Sequence, residues 1–530
     1  MRTTAAEDVI FGLTRMGDTS AAGLSADDVA QVVNEAARFC REAILPGAQT
    51  ADREGARYAN GTVTTPRTYP PLYKQWMEGG WQGLSAPEEF GGQALPGSLW
   101  VAMMEFALAA DTSFALGPLL TAGAIECLDH YASAEQKARL LPHMVSGEWT
   151  GAMCLTEPQS GSDLGTLRTR AEPLGDGRYA LHGQKIYITW GDHDCTGNIV
   201  YLVLARLPDA PPGSRGISLF VATKMRTDGT RNALRCGGIE HKMGIHASPT
   251  CIMLFEGAEA ELVGTPHRGL NAMFAMMNNA RLAIAVQGVA HGARALELAE
   301  AYAAEREQGG RKIEAHPDVA RMLMEMRAST LAARLIALET AAAGDRFRRT
   351  GDPEAELRLA LLTPIAKAWC TERGVENAST GVQVHGGMGY CEDAGAAQVL
   401  RDARIAPIYE GTNGIQAIDL VARKLGRDQG AAMRTLIAEA RDAAPALATT
   451  LDDFEGATAL IVAADPEAAQ SVAFAYVDAA GWVLGAWLLA RAVALDERYE
   501  ETECFFRLRM LPRALARFSE IRAVLSRSGE

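Results

Sequence analysis

The chain of 530 residues is longer than one hydrophobic core sustains and implies roughly three or four structural units, enough to bury a large cofactor. With 48% hydrophobic and 22% charged residues it does not belong to the disordered class, and its formal net charge of -14 argues against a general nucleic-acid surface. Nine cysteines run from Cys40 to Cys504 without a Cys-x-x-Cys pair, which fits neither a disulfide framework nor a zinc ribbon and points to a reducing cytoplasm.

In chain order, residues 1–149 read as a helical domain. The start, Met1-Arg-Thr-Thr-Ala-Ala-Glu-Asp8, lacks the apolar core of a secretory signal. Ala-rich amphipathic segments over 27–44 and 99–110 are separated by breaks such as Glu89-Phe-Gly-Gly-Gln-Ala-Leu-Pro96. Residues 150–265 change pattern to short β-prone runs: 179–181, 185–189, 198–204, 216–221 and 250–255, bounded by Gly, Pro and Asp. No long helices alternate with them, so an antiparallel barrel or sandwich is expected rather than a doubly wound sheet. Helical periodicity returns over 266–425, where Leu282, Val286, Val289, Ala293 and Leu296 form one apolar stripe of a bundle helix. Residues 426–530 read as a further helical unit, with Asp465-Pro466 as a helix start and Trp482, Leu484, Trp487 and Leu488 in its core. The most apolar stretch, 479–490, is cut by Arg491 and is too short to span a bilayer, so no membrane is expected. The fold class is α+β and mainly helical.

Three segments carry chemistry. Arg401-Asp-Ala-Arg-Ile-Ala-Pro-Ile-Tyr-Glu-Gly-Thr-Asn-Gly-Ile-Gln416 sets the carboxylate of Glu410 between a Pro-containing stretch and a turn that opens a helix, a seat for a catalytic base or for a surface or capping group. Met153-Cys-Leu-Thr-Glu-Pro-Gln-Ser-Gly-Ser-Asp163 is rich in hydroxyls and permissive backbone, which suits a phosphate contact through Thr156 and Ser162 or a turn-rich connection. Gln383-Val-His-Gly-Gly-Met-Gly-Tyr390 lets backbone approach a ligand but lacks the spacing of a dinucleotide-binding turn, and a helix-to-helix turn reads equally from it. His241 and His246 share no helical face and have no accompanying ligand set, so they read as structural and no metal is expected. Ser160 and Ser162 lack a Gly-x-Ser-x-Gly elbow, which leaves a hydrolase triad unsupported.

Together with Lys185-Ile-Tyr-Ile-Thr189, an Arg281 that opens a long helix and an Arg306 that closes it, these segments in this order resemble the acyl-CoA dehydrogenase flavoprotein family over residues 30–425. That family's architecture is a helical domain, a β-barrel and a helical bundle. Within it the chain is most similar to the long subgroup with an added C-terminal domain that includes 3-methylmercaptopropionyl-CoA dehydrogenases, on Gly191-Asp-His-Asp194, Ile239-Glu-His-Lys-Met-Gly-Ile-His246 and the 404–419 segment, with a shorter C-terminal region.

The resemblance implies FAD as cofactor, with Thr156 and Ser162 at its pyrophosphate and flavin edge and Tyr187 and Thr189 against the isoalloxazine. Tyr187 stands where many relatives have Trp. It further implies cofactor contacts at Gln383, Gly386, Gly387 and Thr412, and places Arg281, Asn278 and Tyr409 at the acyl-CoA, with Asn278 where an Asp is often found. Arg306 and Gln308 resemble a pair that reaches the FAD of a neighbouring subunit, although Gly309-Gly310 replaces the usual Phe-Gly. On one continuous helix, Arg281 and Arg306 stand about 37 Å apart at roughly 1.5 Å per residue, so a homodimer or homotetramer is expected.

The implied reaction is α,β-dehydrogenation of an acyl-CoA thioester of short to medium or thioether-bearing chain. Glu410 takes the α-proton, flavin N5 accepts the β-hydrogen as hydride, and electrons pass to an electron-transfer flavoprotein. Two alternatives use the same fold: a flavin oxidase acting on a non-CoA substrate, and a non-catalytic DNA-associated flavoprotein.

Overall fold

The computed structural model describes residues 3–17 and 19–527. The chain divides into two compact units, one formed by Met1–Arg38, Pro96–Ala109 and Arg281–Glu530, the other by Phe39–Leu95 and Ala110–Ala280.

The second unit is built on a seven-stranded sheet: β1 Trp149–Cys154, β2 Arg170–Gly175, β3 Arg178–Thr189, β4 Asn198–Arg206, β5 Ile217–Thr223, β6 Leu234–Ile239 and β7 Thr250–Val263. Strands are paired in the order β1-β4-β2-β3-β7-β5, β6 adds to β7, and β4 also pairs with β5. The antiparallel arrangement expected from sequence is corrected to a mixed one, because β1 runs parallel to β4 and β2 joins β4 parallel through Arg170 and Arg206. Parallel neighbours require a crossover, and the β2–β3 hairpin supplies it between β1 and β4. Alternate residues of β4 and β7, among them Ile199, Tyr201, Val203, Met253 and Phe255, fill one buried core.

Three strands had no clear sequence signal. β1 contains Gly151, where a Cβ would stand 2.5 Å from the Cβ of Ala124 on the helix Thr112–Tyr131, so close helix packing, and not strand propensity, selects the residue. β6 carries Gly237 and Gly238 with a register shift between Cys236 and Gly238, and β2 is a mostly exposed partner of β3. Two expected runs, 179–181 and 185–189, are one strand, β3, bent by an irregularity between Lys185 and Ile188.

The first unit is helical. The helix Gly269–Glu305 begins twelve residues before Arg281, which corrects the expectation that Arg281 opens it: Arg281 lies in its interior. The helices Pro317–Thr350 and Pro353–His385 are separated by Gly351, at φ 66°, and by Asp352, whose side chain accepts from Glu354 N. Residues 426–527 are helical, as their pattern predicts. Their helix Ala473–Leu495 is long and apolar enough to cross a membrane, but 89% of its most apolar window is buried within the protein. Trp482 from this helix meets Trp369 edge to face at 5.1 Å, and the Arg373 guanidinium lies 4.6 Å over the Trp482 ring.

Candidate active site

Each unit holds its own share of the predicted residues. In the first unit the short helix Ala396–Ala403 ends in a series of turns, and the chain restarts as the helix Asn413–Ile418, capped by the Thr412 hydroxyl accepting from Ile415 N. Between them Glu410 sits at φ 55° and Gly411 at φ 84°. Two successive left-handed residues make a sharp elbow, and the non-glycine one stores strain of the kind found at functional positions. A Cβ on Gly411 would lie 2.8 Å from Gln416 Nε2, which donates instead to the Glu410 and Gly411 carbonyls at 3.2 and 3.4 Å.

Neighbouring helices hold this elbow. From the helix Pro353–His385 the fully buried Lys367 ammonium donates to Gly411 O at 2.8 Å and to Asn413 Oδ1 at 2.9 Å. The Asn413 amide in turn donates to Ala368 O, Thr371 Oγ1 and Glu372 Oε1. Arg281 from the helix Gly269–Glu305 lies 3.8 Å from Asp419, which also meets Arg423 at 2.9 Å and Lys424 at 3.9 Å. The Tyr409 hydroxyl donates to Gln287 Oε1, and burial pushes that phenol far up.

No hydrogen bond reaches the Glu410 carboxyl among the described residues. Burial raises it to about 7, while the charges of Arg281 and then Lys367 oppose the rise. The residue as a whole is half-buried, so the elbow is desolvated by its surroundings without being sealed from solvent. Burial lowers Lys367 to about 7 as well, with Glu410 resisting. Each group is drawn toward its neutral form and held back by the other's charge.

In the second unit the loop after β1 is stapled to β3. Glu157 accepts from the fully buried Lys185 ammonium at 2.9 Å, from Thr169 N at 2.9 Å and from Arg168 N at 2.7 Å, and Lys185 also donates to Leu155 O at 2.9 Å. Burial by itself would raise the Glu157 carboxyl, but Lys185 and these donors overcome it and lower it to about 2. Burial lowers Lys185 to about 8 against the pull of Glu157. Ile186 N donates to Thr156 O at 2.9 Å, so Thr156 is fixed beside the strand that carries Tyr187 and Thr189. Tyr187 is 60% exposed at φ 59°, a large aromatic turned out of β3 where the pairing with β7 is interrupted. The hydroxyls of Thr156, Ser162 and Thr189 make no hydrogen bond among the described residues, and a Cβ on Gly161 would meet open space. Sequence reasoning missed Glu157 and Lys185 as a pair, although both stand in the motifs quoted for the family.

The remaining predicted residues are spread over the first unit, except Asn278, which is exposed on the helix Gly269–Glu305 within the second. Arg306 and Gln308 are exposed after that helix, on a two-residue hairpin turned by Gly309 and Gly310 at φ 60° and 78°. Gln383 is exposed in the last turn of Pro353–His385, and Gly386, at φ 61°, ends that helix, with open space over it and Gly387. His246 lies 3.0 Å from Asp52 and bonds Lys242 O, a structural placement. Among the described residues no group of three or more His, Cys, Asp or Glu is placed to hold a metal.

Residues 26–148, 152–258 and 267–426 match the N-terminal, middle and C-terminal domains of acyl-CoA dehydrogenases. The chain is 47% identical over 425 residues to 3-methylmercaptopropionyl-CoA dehydrogenase of Ruegeria pomeroyi, covering 77% of this chain and 72% of that one. It is 32% identical over 451 residues to a butyryl-CoA dehydrogenase of Syntrophomonas wolfei, covering 79% and 73%. The fold of an acyl-CoA dehydrogenase from Bacillus anthracis, solved with FAD, superposes with a TM-score of 0.78 at 23% identity over 95% of this chain and 88% of that one. The chain belongs to the acyl-CoA dehydrogenase family. These enzymes bind FAD, and an outward aromatic on β3, with hydroxyls of β3 and of the loop after β1 that make no hydrogen bond among the described residues, is a set of groups that fits a flavin.

Proposed function

We propose that this protein dehydrogenates an acyl-CoA thioester at its α and β carbons, with Glu410 as the base. The observation that carries this is the elbow: a carboxyl raised to about 7, without a hydrogen bond among the described residues and under the charge of two buried cations. Such a group is a stronger base than a solvated glutamate and gains stabilisation from Arg281 and Lys367 when it ionises. Glu410 takes the α-proton as the Cα–Cβ double bond forms. When bound, FAD supplies the acceptor for the β-hydrogen and its electron pair. The Glu410 N–H bonds no backbone carbonyl among the described residues and is available to the thioester oxygen as negative charge develops there.

In this reading Thr156, Ser162, Tyr187, Thr189, Gln383, Gly386, Gly387 and Thr412 hold the cofactor, and Asn278, Arg281 and Tyr409 the substrate. The Thr412 hydroxyl does so while capping its helix. Residues 1–149, 150–265 and 266–425 form the catalytic domains, and 426–530 a C-terminal addition. The exposed Arg306 and Gln308, some 37 Å along the helix from Arg281 at roughly 1.5 Å per residue, serve a second subunit in a homodimer or homotetramer. The similarity to an enzyme of 3-methylmercaptopropionyl-CoA supports a short to medium acyl chain, with a thioether favoured; the electrons pass on to an electron-transfer flavoprotein.

The test is anaerobic reduction of the purified yellow protein by a panel of straight, branched and thioether acyl-CoAs, followed by flavin bleaching. Graded activity over neighbouring chain lengths is expected, since one methylene is worth only about 1–3 kcal/mol of discrimination. Exclusive use of long chains, or turnover with oxygen as fast as with the flavoprotein acceptor, would sink the assignment.

A further inference from the structure

The Lys367 ammonium is fully buried, yet both of its acceptors, Gly411 O and Asn413 Oδ1, are neutral. A neutral amide donor could satisfy the same two groups without desolvating a charge, which is costly to bury without a bonded counter-ion. The charge itself therefore needs an explanation. Of the two cations that act on Glu410, Arg281 is already answered by Asp419 at 3.8 Å. Lys367 has no carboxylate within ion-pair distance among the described residues. Glu410 is the first negative group acting on it, followed by Glu372, which the Asn413 amide engages at 2.8 Å.

We propose that Lys367 is a positioning residue for the reaction: it holds the Glu410–Gly411 elbow through the Gly411 carbonyl and, with Arg281, supplies positive charge against which the Glu410 carboxylate forms. This rests on Glu410 being the base. The bond to Gly411 O restrains the peptide that follows Glu410, and so the left-handed turn that aims its side chain. The charged and titratable groups on the elements around Glu410 are Arg281 on Gly269–Glu305, Lys367 and Glu372 on Pro353–His385, Asp402 on Ala396–Ala403, Tyr409 beside it, and Asp419 and Arg423 after Asn413–Ile418. Asp419 divides its charge among Arg281, Arg423 and Lys424, so Arg281 and Lys367 both act on Glu410, and Lys367 is the one of the two without a carboxylate within ion-pair distance among the described residues.

The experiment compares the FAD-loaded wild type with Lys367→Gln, which keeps donors but loses the charge, and Lys367→Arg, which keeps the charge. The readouts are the pH profile of kcat/KM and flavin occupancy by absorbance. Lys367→Gln should move the rising acid limb upward by about one pH unit or more, the usual effect of removing a neighbouring opposite charge, and Lys367→Arg should leave it in place. Asn413→Asp sets a carboxylate against the ammonium without deleting it, and should shift the limb in the same direction even if Lys367→Gln fails to fold. An unmoved limb in Asn413→Asp, or in a folded Lys367→Gln whose kcat alone has dropped, would reduce Lys367 to a structural tie and overturn the proposal. Glu410→Gln separates the two readings: near-normal turnover there removes the base itself, whereas an inactive Glu410→Gln with an unmoved limb removes only the role of Lys367.

Discussion

Two glutamates of the molecule face a buried lysine, and the surroundings treat them in opposite ways. In the second unit Lys185 bonds Glu157 directly at 2.9 Å, two backbone N–H groups join it, and the carboxyl is lowered to about 2. In the first unit Lys367 bonds a carbonyl and an amide, nothing among the described residues bonds the Glu410 carboxyl, and that group is raised to about 7. Both lysines are fully buried, so desolvation of the cation does not distinguish the pairs. What differs is the count of donors on the carboxylate. A saturated carboxylate is a staple with no basicity left, while one given charge without hydrogen bonds stays ready to take a proton.

The largest effect that sharpens this contrast is on chemistry. Glu410→Gln should retain FAD and lose roughly 10²–10⁴-fold in kcat, the usual worth of a positioned base, measured by steady-state turnover of the purified yellow variant. Loss of the colour instead would mean that the substitution damaged the site, not its chemistry.

Next comes the staple. Lys185→Met leaves Glu157 buried without its counter-ion and should destabilise the protein by about 3–5 kcal/mol in denaturant unfolding. The double variant Glu157→Gln with Lys185→Met should recover part of that loss. If Lys185→Met proved neutral, the pair would not be what fixes the loop to β3.

The two pairs should also differ in the sign of their pH response. The Glu410 carboxyl is raised, and the proposed base works when ionised, so kcat/KM should climb about tenfold per unit as pH rises toward about 7. The Glu157 carboxyl is lowered, so its contribution to stability is present above its ordinary value of 4.5 and is lost as pH falls from there through about 2. Glu157→Gln should flatten the acid-unfolding profile over that window, and Glu410→Gln should leave it unchanged.

The smallest expected effect is at the cap. Thr412→Ala removes the acceptor for Ile415 N and should cost about 1 kcal/mol. It should also lower flavin occupancy, read by absorbance, because the same hydroxyl is assigned to the cofactor.

Much of this architecture was legible in the chain. Apolar spacing from Leu282 to Leu296 marked the long helix, the turn chemistry of Asp465-Pro466 marked a helix start, and the order of family motifs pointed to Glu410 in its Tyr-Glu-Gly-Thr setting. These are local signals, set by backbone preferences and side-chain period within one element. The start of the Gly269–Glu305 helix and the strands β1, β2 and β6 were not legible: Gly151 serves a neighbour 27 positions away at Ala124, and an exposed or bulged strand carries no strong alternation. The same limit applies at the site. Sequence identifies Glu410 as a carboxylate in a bend, but its basicity depends on Lys367 and Arg281, 43 and 129 positions earlier, and on which atoms they bond. Only the tertiary structure decides that, because burial and hydrogen-bond count are properties of the packed surroundings and not of the residue.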